Sequence, residues 1–186
     1  QKGINSGQYD NGNLCWNRHE SGLDFPMRKF MYGFLSPYIK NSKNKAILDI
    51  GCGIGWLLQE ANKFKARIAE GVEPSKRNVK VAKKYFSDIN IYCTDFESFV
   101  ADKIYDNIYC IMVLSHIWDF ENFFKKCFQI MNYGGKLLII VPDYNYFKNT
   151  RPGYKMEFTY YDNCYSVNIE SEKGELSQIV RKKHIY

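Results

Sequence analysis

A glycine-rich stretch in the first third of the chain has the residue types that a ligand-binding turn needs. Asp49 closes an apolar run and is followed by glycines at alternate positions, Gly51, Gly53 and Gly55. Glycine permits the backbone angles of a tight turn and lets a ligand approach the chain closely, because it has no Cβ. We expect a helix to begin near Gly55 and to direct its free N–H groups and positive dipole end toward the same ligand. The stretch therefore predicts a site for a nucleotide-like cofactor.

Two further acids and a histidine follow the next predicted strands. Glu73 ends the second strand beside the glycine turn, where a carboxylate can accept two hydrogen bonds from a ribose diol. Asp95 and Phe96 follow the third strand, and His116 follows the fourth. His116 is a candidate general base, with a structural histidine hydrogen-bonded to the backbone as the alternative. For the acids and glycines together, the alternative is a set of helix caps and ordinary turns.

Alternating apolar runs and amphipathic stretches place these residues in an α/β fold. The sequence predicts five strands with helical segments between them; the strands are 46–50, 66–72, 89–93, 106–114 and 136–141. Such alternation implies right-handed crossovers and a Rossmann-like, doubly wound, mainly parallel sheet with helices on both faces. Ligands bind such a sheet beyond the carboxyl ends of its strands, which is where the acids and glycines are expected.

A helix is also predicted before the first strand. Asp24 can cap it, and Pro37 is expected to end or kink it. Its apolar residues fall on one stripe that is expected to face the core: Met27, Phe30, Met31, Phe34 and Leu35. Pro74 is expected at the first position of the helix that follows the second strand.

Composition limits the classes of function. The 186-residue chain carries a net charge of +6, but its lysines are scattered, so we expect a solvated surface rather than a nucleic-acid partner. The six cysteines form no C-x-x-C pair, which predicts a reduced, cytoplasmic protein. The sequence shows neither a signal peptide nor an apolar run of about 18 residues, so it predicts no membrane partner. Aromatic residues make up 17% of the chain, an excess that favours a lined pocket or an interface such as that of a homodimer.

The residues around the glycines separate three classes of cofactor site. A dinucleotide-binding turn requires a small residue at the sixth position of the glycine motif, where this chain has Trp56. A P-loop requires Gly-Lys followed by Ser or Thr after the glycines, and that sequence does not follow them here. The class that remains is a cofactor with adenosine and its ribose but no phosphate.

Several segments together resemble the class I S-adenosylmethionine-dependent methyltransferases, in particular the group that methylates small molecules. They are LDIGCGIG, GVEPS, CTDFESF and the stretch from YDNIYC to LLIIVPD, and they span roughly Ala46 to Asp143. The resemblance implies the strand order 3-2-1-4-5 with C-terminal antiparallel strands. It also implies methyl transfer from S-adenosylmethionine to an oxygen, nitrogen or carbon of a small molecule by in-line displacement, with S-adenosylhomocysteine as the product.

The same resemblance implies which residues contact the cofactor. They all lie in the glycine turn or at strand ends: Asp49, Gly51, Cys52, Gly53, Gly55, Glu73, Pro74, Asp95, Phe96 and Leu114. Asp49 is implied to position the turn, and Glu73 to bind the ribose hydroxyls. Asp95 is implied to bind the adenine amino group, while Phe96 packs on the adenine or hydrogen-bonds to it through its backbone. Leu114 is implied to border the methionine portion and the acceptor.

The acceptor side is predicted from histidines and aromatic residues. His116 and, in the N-terminal leader, His19 are the candidate bases, which are needed only if the acceptor must lose a proton. The candidate substrate contacts are all aromatic: Tyr9, Trp16, Tyr144 and Tyr146. No metal is predicted, since paired acids do not follow the fourth strand. The alternatives are an RNA methyltransferase, which the positive charge favours, and a truncated, non-catalytic cofactor-binding module.

The chain is predicted to form one domain made of consecutive segments. Residues 1–45 are expected to form a lid and a helix, 46–143 the cofactor-binding core, and 144–186 an antiparallel β extension. Within the extension, 156–169 and 177–185 are predicted strands, with a hairpin turn at Glu172 to Glu175. We expect this extension to wall the acceptor pocket; the alternative is that it supplies the last two strands of the main sheet.

Overall fold

The computed structural model describes residues 26–141, 154–160, 164–171 and 176–182. Several expectations from the sequence fall outside this part of the chain. They concern the cap at Asp24, the leader residues Tyr9, Trp16 and His19, the loop residues Tyr144 and Tyr146, and the turn at Glu172 to Glu175.

A five-stranded parallel sheet forms the centre of the protein. Its strands are β1 (Ala46–Ile50), β2 (Ile68–Val72), β3 (Asn90–Tyr92), β4 (Tyr105–Ile111) and β5 (Met131–Ile140). They lie in the order β3-β2-β1-β4-β5, and every neighbouring pair is parallel. The strand order that the resemblance implied and the parallel direction that the alternation of strands and helices predicted are therefore confirmed. All residues of the central β1 are buried, as expected for a strand covered on both faces.

Helices cover the two faces of this sheet. They are α1 (Pro26–Lys40), α2 (Trp56–Lys63), α3 (Lys76–Tyr85) and α4 (Phe120–Gln129). Alternate residues of β1 point to opposite faces: Ile47 packs in a core cluster with α1 and α2, whereas Leu48 packs with Phe123 and Cys127 of α4. Val79 of α3 packs with Leu58 of α2 in a third cluster. The sheet is thus doubly wound.

The apolar stripe of α1 differs from the prediction. Met31 and Leu35 are buried as expected, but Phe30 and Phe34 are 66% and 62% exposed and pack edge to face against each other. Ile39, one turn beyond Leu35, completes the buried face instead. Pro37 lies inside the helix and does not end it, since the helix continues to Lys40.

Several element boundaries also differ from the prediction. Pro74 precedes α3, because Ser75 is the N-cap and accepts a hydrogen bond from the N–H of Asn78. The fourth strand ends at Ile111 rather than at the predicted 114, and Leu114–His116 form one turn of 3₁₀ helix. In the loop after β3, residues 96–98 form a turn. The fifth strand begins at Met131, earlier than predicted, with an irregularity in its register to β4.

A second, antiparallel sheet follows the core. It contains β6 (Tyr154–Tyr160), β7 (Cys164–Ser171) and β8 (Leu176–Lys182) in that order. Among the described residues, none of these strands pairs with the main sheet. The strand β8 comes within 8 Å of the 3₁₀ turn Leu114–His116, measured between Cα atoms. The second sheet therefore approaches the carboxyl end of β4.

Candidate functional site

The glycine turn between β1 and α2 adopts a backbone that favours glycine at three positions. Gly51, Gly53 and Gly55 have φ angles of +68°, +56° and +81°, in the left-handed region. A Cβ on Gly51 would collide with the side chain of Val113, and a Cβ on Gly55 would collide with Ile89. A Cβ on Gly53 would meet no described atom within 4 Å. The turn is therefore packed tightly at both ends and open at Gly53.

Glu73 holds the open part of this turn. Its buried carboxylate accepts a hydrogen bond from the Gly53 N–H at 2.9 Å, and its other oxygen accepts from the Ser75 N–H at 2.9 Å and from Asn78 Nδ2 at 3.3 Å. We expected Asp49 to position the turn, but the carboxylate that bonds to the turn is Glu73. Glu73 therefore lies at the end of the second strand as predicted, and its hydrogen bonds give it a second role, which is to hold the glycine turn.

Asp49 is a buried carboxylate of a different kind. It is 3% exposed, and among the described residues none donates a hydrogen bond to its side chain. Burial raises the pKa of Asp49 well above its ordinary value, and the nearby charge of Glu73 raises it further. A buried carboxylate without donors is stabilised when a cation binds next to it. Asp49 therefore favours a ligand with a positively charged group.

Cys52 and Pro74 occupy contrasting positions in the same region. Cys52 is buried, with its Sγ against the backbone of Gly71, where a Cβ would have no room. Burial raises the pKa of the Cys52 thiol well above its usual value, and the charges of Asp49 and Glu73 raise it further, so that this thiol is a poor nucleophile. Pro74 is exposed next to the carboxylate of Glu73.

The loop after β3 carries Asp95 and Phe96. Asp95 is partly buried and accepts a hydrogen bond from the Ser98 N–H at 2.7 Å, which closes the turn. The ring of Phe96 is 4% exposed and packs in the core against Phe99 and Phe123. Because the ring is packed there, the backbone of Phe96 is the part that can reach a ligand.

The chain leaves the carboxyl end of β4 in an unusual conformation. Met112 has a φ angle of +61°, which is uncommon for a residue with a side chain, and its N–H donates to the Ile140 carbonyl at 2.7 Å. Val113 follows, with its side chain over Gly51, and its carbonyl accepts from the His116 N–H at 2.8 Å. Strained residues of this kind cluster at functional sites. The turn that carries Leu114 and His116 is thus fixed on both sides.

Sequence reasoning missed three residues in this region: Met112, Asn78 and Lys126. No local pattern marks a left-handed methionine or a lysine that bonds to a distant loop. Ser75 is of a residue type that is favoured at helix N-caps, but the sequence predicted Pro74 at the first helical position instead. No pattern indicated that Asn78 also bonds to the Glu73 carboxylate.

Among the residues that the structure describes, no group of three or more His, Cys, Asp or Glu residues lies close enough together to hold a metal ion. None of the described helices is long and apolar enough to cross a membrane.

Comparison with known proteins shows the family of this chain. Residues 27–178 match the family model described as a methyltransferase domain. Because this match covers most of the chain, the protein belongs to that family, and the resemblance to class I methyltransferases is confirmed.

Curated relatives match the core of the chain. The ubiquinone biosynthesis O-methyltransferase of Coxiella burnetii is 35% identical over 109 residues, which are 56% of this chain and 46% of that protein. The mitochondrial ubiquinone biosynthesis O-methyltransferase of Bos taurus is 30% identical over 102 residues, 50% of this chain and 27% of that protein. The chain therefore spans about half, or less, of the length of these relatives.

Solved structures share the fold. A protein of Pyrococcus horikoshii superimposes with a TM-score of 0.71 at 16% identity, covering 89% of this chain and 80% of its own. An S-adenosylmethionine-dependent methyltransferase from Clostridium acetobutylicum superimposes with a TM-score of 0.65 at 17% identity, covering 93% and 82%. An amino pentose methyltransferase from Micromonospora echinaspora, solved with S-adenosylmethionine bound, gives 0.55 at 13% identity, covering 89% and 77%.

Proposed function

We propose that this protein transfers a methyl group from S-adenosylmethionine to a hydroxyl group of a small molecule. Membership of the methyltransferase family supports the reaction class. The curated relatives are named ubiquinone biosynthesis O-methyltransferases, and this activity supports oxygen as the methylated atom. The observation that carries the proposal is the buried Asp49 carboxylate without a described hydrogen-bond donor, beside a glycine turn that is open at Gly53.

The donor set fits this cofactor. S-adenosylmethionine brings an ammonium group and a sulfonium, and a buried carboxylate such as Asp49 is stabilised by either charge. The open backbone at Gly53 leaves space for the ribose next to Glu73, whose carboxylate is the proposed partner of the ribose hydroxyls. At the end of β3, the carboxylate of Asp95 and the backbone of Phe96 are the proposed partners of the adenine.

The residues at the end of β4 are proposed to place the acceptor. S-adenosylmethionine supplies an activated methyl group, so the protein mainly has to align the nucleophile behind it. Alignment of two reactants contributes roughly 7–11 kcal/mol to catalysis. Leu114 is 9% exposed and contributes an apolar wall, while the preceding Met112 and Val113 hold the turn against β5 and the glycine turn. We propose the second sheet as a further wall, because β8 approaches this turn.

His116 is the proposed general base for a hydroxyl acceptor. It lies in the 3₁₀ turn, partly buried, where its backbone N–H is bonded to Val113. We expect His116→Ala to slow methylation of phenols or catechols by about a hundredfold, because a positioned base contributes at least that much. Transfer of labelled methyl groups measures this rate, and calorimetry with S-adenosylhomocysteine should give an unchanged affinity. Full turnover in the variant would make His116 structural. His19, Tyr9, Trp16, Tyr144 and Tyr146 stay predicted acceptor-side residues.

Location and assembly are proposals as well. A cytoplasmic location is supported by four cysteines, Cys52, Cys93, Cys110 and Cys127, which are free thiols. Thiol counting that finds disulfides in the native protein would contradict it. A homodimer is the proposed assembly, which light scattering tests.

The donor site is tested at Glu73. We expect Glu73→Ala to weaken binding of S-adenosylhomocysteine by roughly ten- to a hundredfold, because a charge-assisted hydrogen bond contributes on the order of 1.5–3 kcal/mol. Titration calorimetry of the wild type and the variant measures the difference. Glu121→Ala is the matched control, since Glu121 is an exposed glutamate in the first turn of α4.

The outcomes separate the parts of this proposal. Equal affinity in the wild type and Glu73→Ala would remove Glu73 from the site. A wild-type protein that binds neither S-adenosylmethionine nor S-adenosylhomocysteine would overturn the donor assignment as a whole.

A further inference from the structure

We infer that Lys126 is a positioning residue for the adenine end of the cofactor site, because its ammonium group fixes the backbone of the loop after β3. This inference rests on the proposed function, since it assigns the adenine to that loop. Lys126 belongs to α4 and lies about thirty positions from the loop in sequence.

The contacts of Lys126 converge on the loop backbone. Its Nζ donates to the carbonyl of Phe96 at 2.6 Å and to the carbonyl of Glu97 at 3.0 Å. The same ammonium group lies 4.9 Å from the centroid of the Phe96 ring, within cation–π range. These two hydrogen bonds and the ring contact involve consecutive residues. The backbone of this stretch therefore has little freedom.

The charges around Lys126 agree with this role. Desolvation lowers the pKa of its ammonium group, while Glu97 and Asp95 act in the opposite direction. The adjacent Lys125 is exposed, so the two lysines differ in environment although they are neighbours on one helix. The ammonium group of Lys126 therefore interacts with the loop rather than with solvent.

The fixed backbone positions the two groups that we assign to adenine recognition, the N–H of Phe96 and the carboxylate of Asp95. Asp95 directly precedes Phe96, and the ring of Phe96 is held in the core by Phe99 and Phe123. With the ring packed on one side and the carbonyls held by Lys126, the N–H of Phe96 and the carboxylate of Asp95 have a defined spacing. Defined spacing is what discriminates a 6-amino purine from a 6-oxo purine, since the two present different donors. Lys126 thus acts on base recognition through the loop.

The test compares affinities for two ligands that differ only in the base. Titration calorimetry is run with S-adenosylhomocysteine and with its 6-oxo analogue, S-inosylhomocysteine. We expect Lys126→Met, which keeps an apolar chain but removes the ammonium group, to weaken S-adenosylhomocysteine binding about tenfold. The preference for adenine over hypoxanthine should fall with it, and Lys126→Arg should restore a part of both. A merely structural loss of stability would not change base preference.

Lys125→Met serves as the matched control and should bind both ligands like the wild type. If Lys126→Met folds and keeps the wild-type affinity and base preference, the inference is wrong while the proposed function stands. If the wild type binds neither ligand, the proposed function itself fails. If Lys126→Met does not fold, Lys126→Gln and Lys126→Arg give the same comparison, and an unchanged base preference in Lys126→Gln would overturn the inference.

Discussion

Two buried glutamates near the same strand show how differently one residue type can be used. Glu70 lies within β2 and accepts from Lys103 Nζ at 2.8 Å, the Tyr105 hydroxyl at 2.9 Å, Asn90 Nδ2 at 3.0 Å and the Tyr92 hydroxyl at 3.2 Å. Glu73 follows the carboxyl end of β2 and accepts from two backbone N–H groups and from the side chain of Asn78. Both are 5% exposed.

The two glutamates differ in their hydrogen-bond partners and in their position relative to the carboxyl end of β2. The donors of Glu70 are the side chains of Asn90 and Tyr92 in β3, of Tyr105 at the start of β4 and of Lys103 just before β4. This network joins neighbouring strands to one another. The donors of Glu73 come from the glycine turn and from the start of α3, the segments that line the candidate cofactor site. Burial and hydrogen bonding alone therefore do not separate a structural acid from a functional one. Position relative to the carboxyl ends of the strands does.

The largest effect is expected from removing Glu70. Glu70→Ala leaves the buried Tyr105 hydroxyl and its neighbours without an acceptor, which lowers the free energy of unfolding by about 3 kcal/mol. Denaturation by urea measures this change. The affinity of the folded variant for S-adenosylhomocysteine should stay within about twofold of the wild type, because the side chains that bond to Glu70 lie outside the glycine turn and the start of α3.

Glu73→Ala should give the reverse pattern, with a large loss of affinity and a smaller loss of stability. Equal losses of affinity in Glu70→Ala and Glu73→Ala would contradict the assignment of Glu70 to structure and of Glu73 to the cofactor site. Glu70→Gln is the control for folding, since it keeps one acceptor oxygen at nearly the same volume.

Replacing Asp49 is expected to change the free energy of unfolding less than replacing Glu70 does, and in the opposite direction. Burial raises the pKa of Asp49, so between its ordinary value of 3.8 and the raised value the folded protein binds more protons than the unfolded chain. Asp49 therefore makes the free energy of unfolding fall as the pH rises through this window. In Glu70, burial opposes ionisation but the hydrogen bonds from Lys103, Asn90 and Tyr105 outweigh it and lower the pKa. Glu70 thus contributes stability that is lost as the pH falls below its ordinary value of 4.5.

We therefore expect Asp49→Asn to stabilise the ligand-free protein by about 1 kcal/mol at neutral pH, because it removes a buried charge without donors. Urea denaturation from about pH 4 to about pH 8 measures the slope that the variant should lose. The same variant should bind S-adenosylmethionine more weakly. A variant that is less stable than the wild type at neutral pH would show that Asp49 is satisfied in the free protein.

The parts of the fold that depend on local sequence were predictable. A contiguous apolar run followed by glycines at alternate positions is enough to place β1 and its turn, and alternation of strand and helix is enough to give a parallel sheet. Asp119 is of a residue type that favours helix N-caps, and its side chain accepts from the Asn122 N–H at the start of the helix that begins at Phe120.

The parts that depend on which surfaces meet were not predictable. The periodicity of α1 gives a wide apolar stripe, but it does not say that Met31 and Leu35 face the core while Phe30 and Phe34 face outward. Likewise, the sequence shows that Asp49 and Glu73 belong to one site, but not which carboxylate reaches the Gly53 N–H. That choice depends on the register of β1 and β2, which brings Ile50 opposite Val72.

The left-handed Met112 gave no signal in the sequence. A glycine or asparagine at that position would have indicated a positive φ angle, whereas methionine does not. The conformation follows from tertiary contacts, the hydrogen bond to Ile140 and the packing of Val113 on Gly51.

The outer edge of β5 has a consequence for the behaviour of the protein in concentrated solution. Among the described strands none pairs with this edge, and its last residues, Leu137 to Ile140, are apolar and partly exposed. Unpaired apolar edges can recruit the edge of another molecule and start aggregation. The part of β5 before Leu137 carries two features that oppose this, the charge of Lys136 and the irregular register to β4 between Met131 and Lys136. Protection against edge-to-edge association is thus concentrated before Leu137, and self-association would begin at the apolar end of the strand.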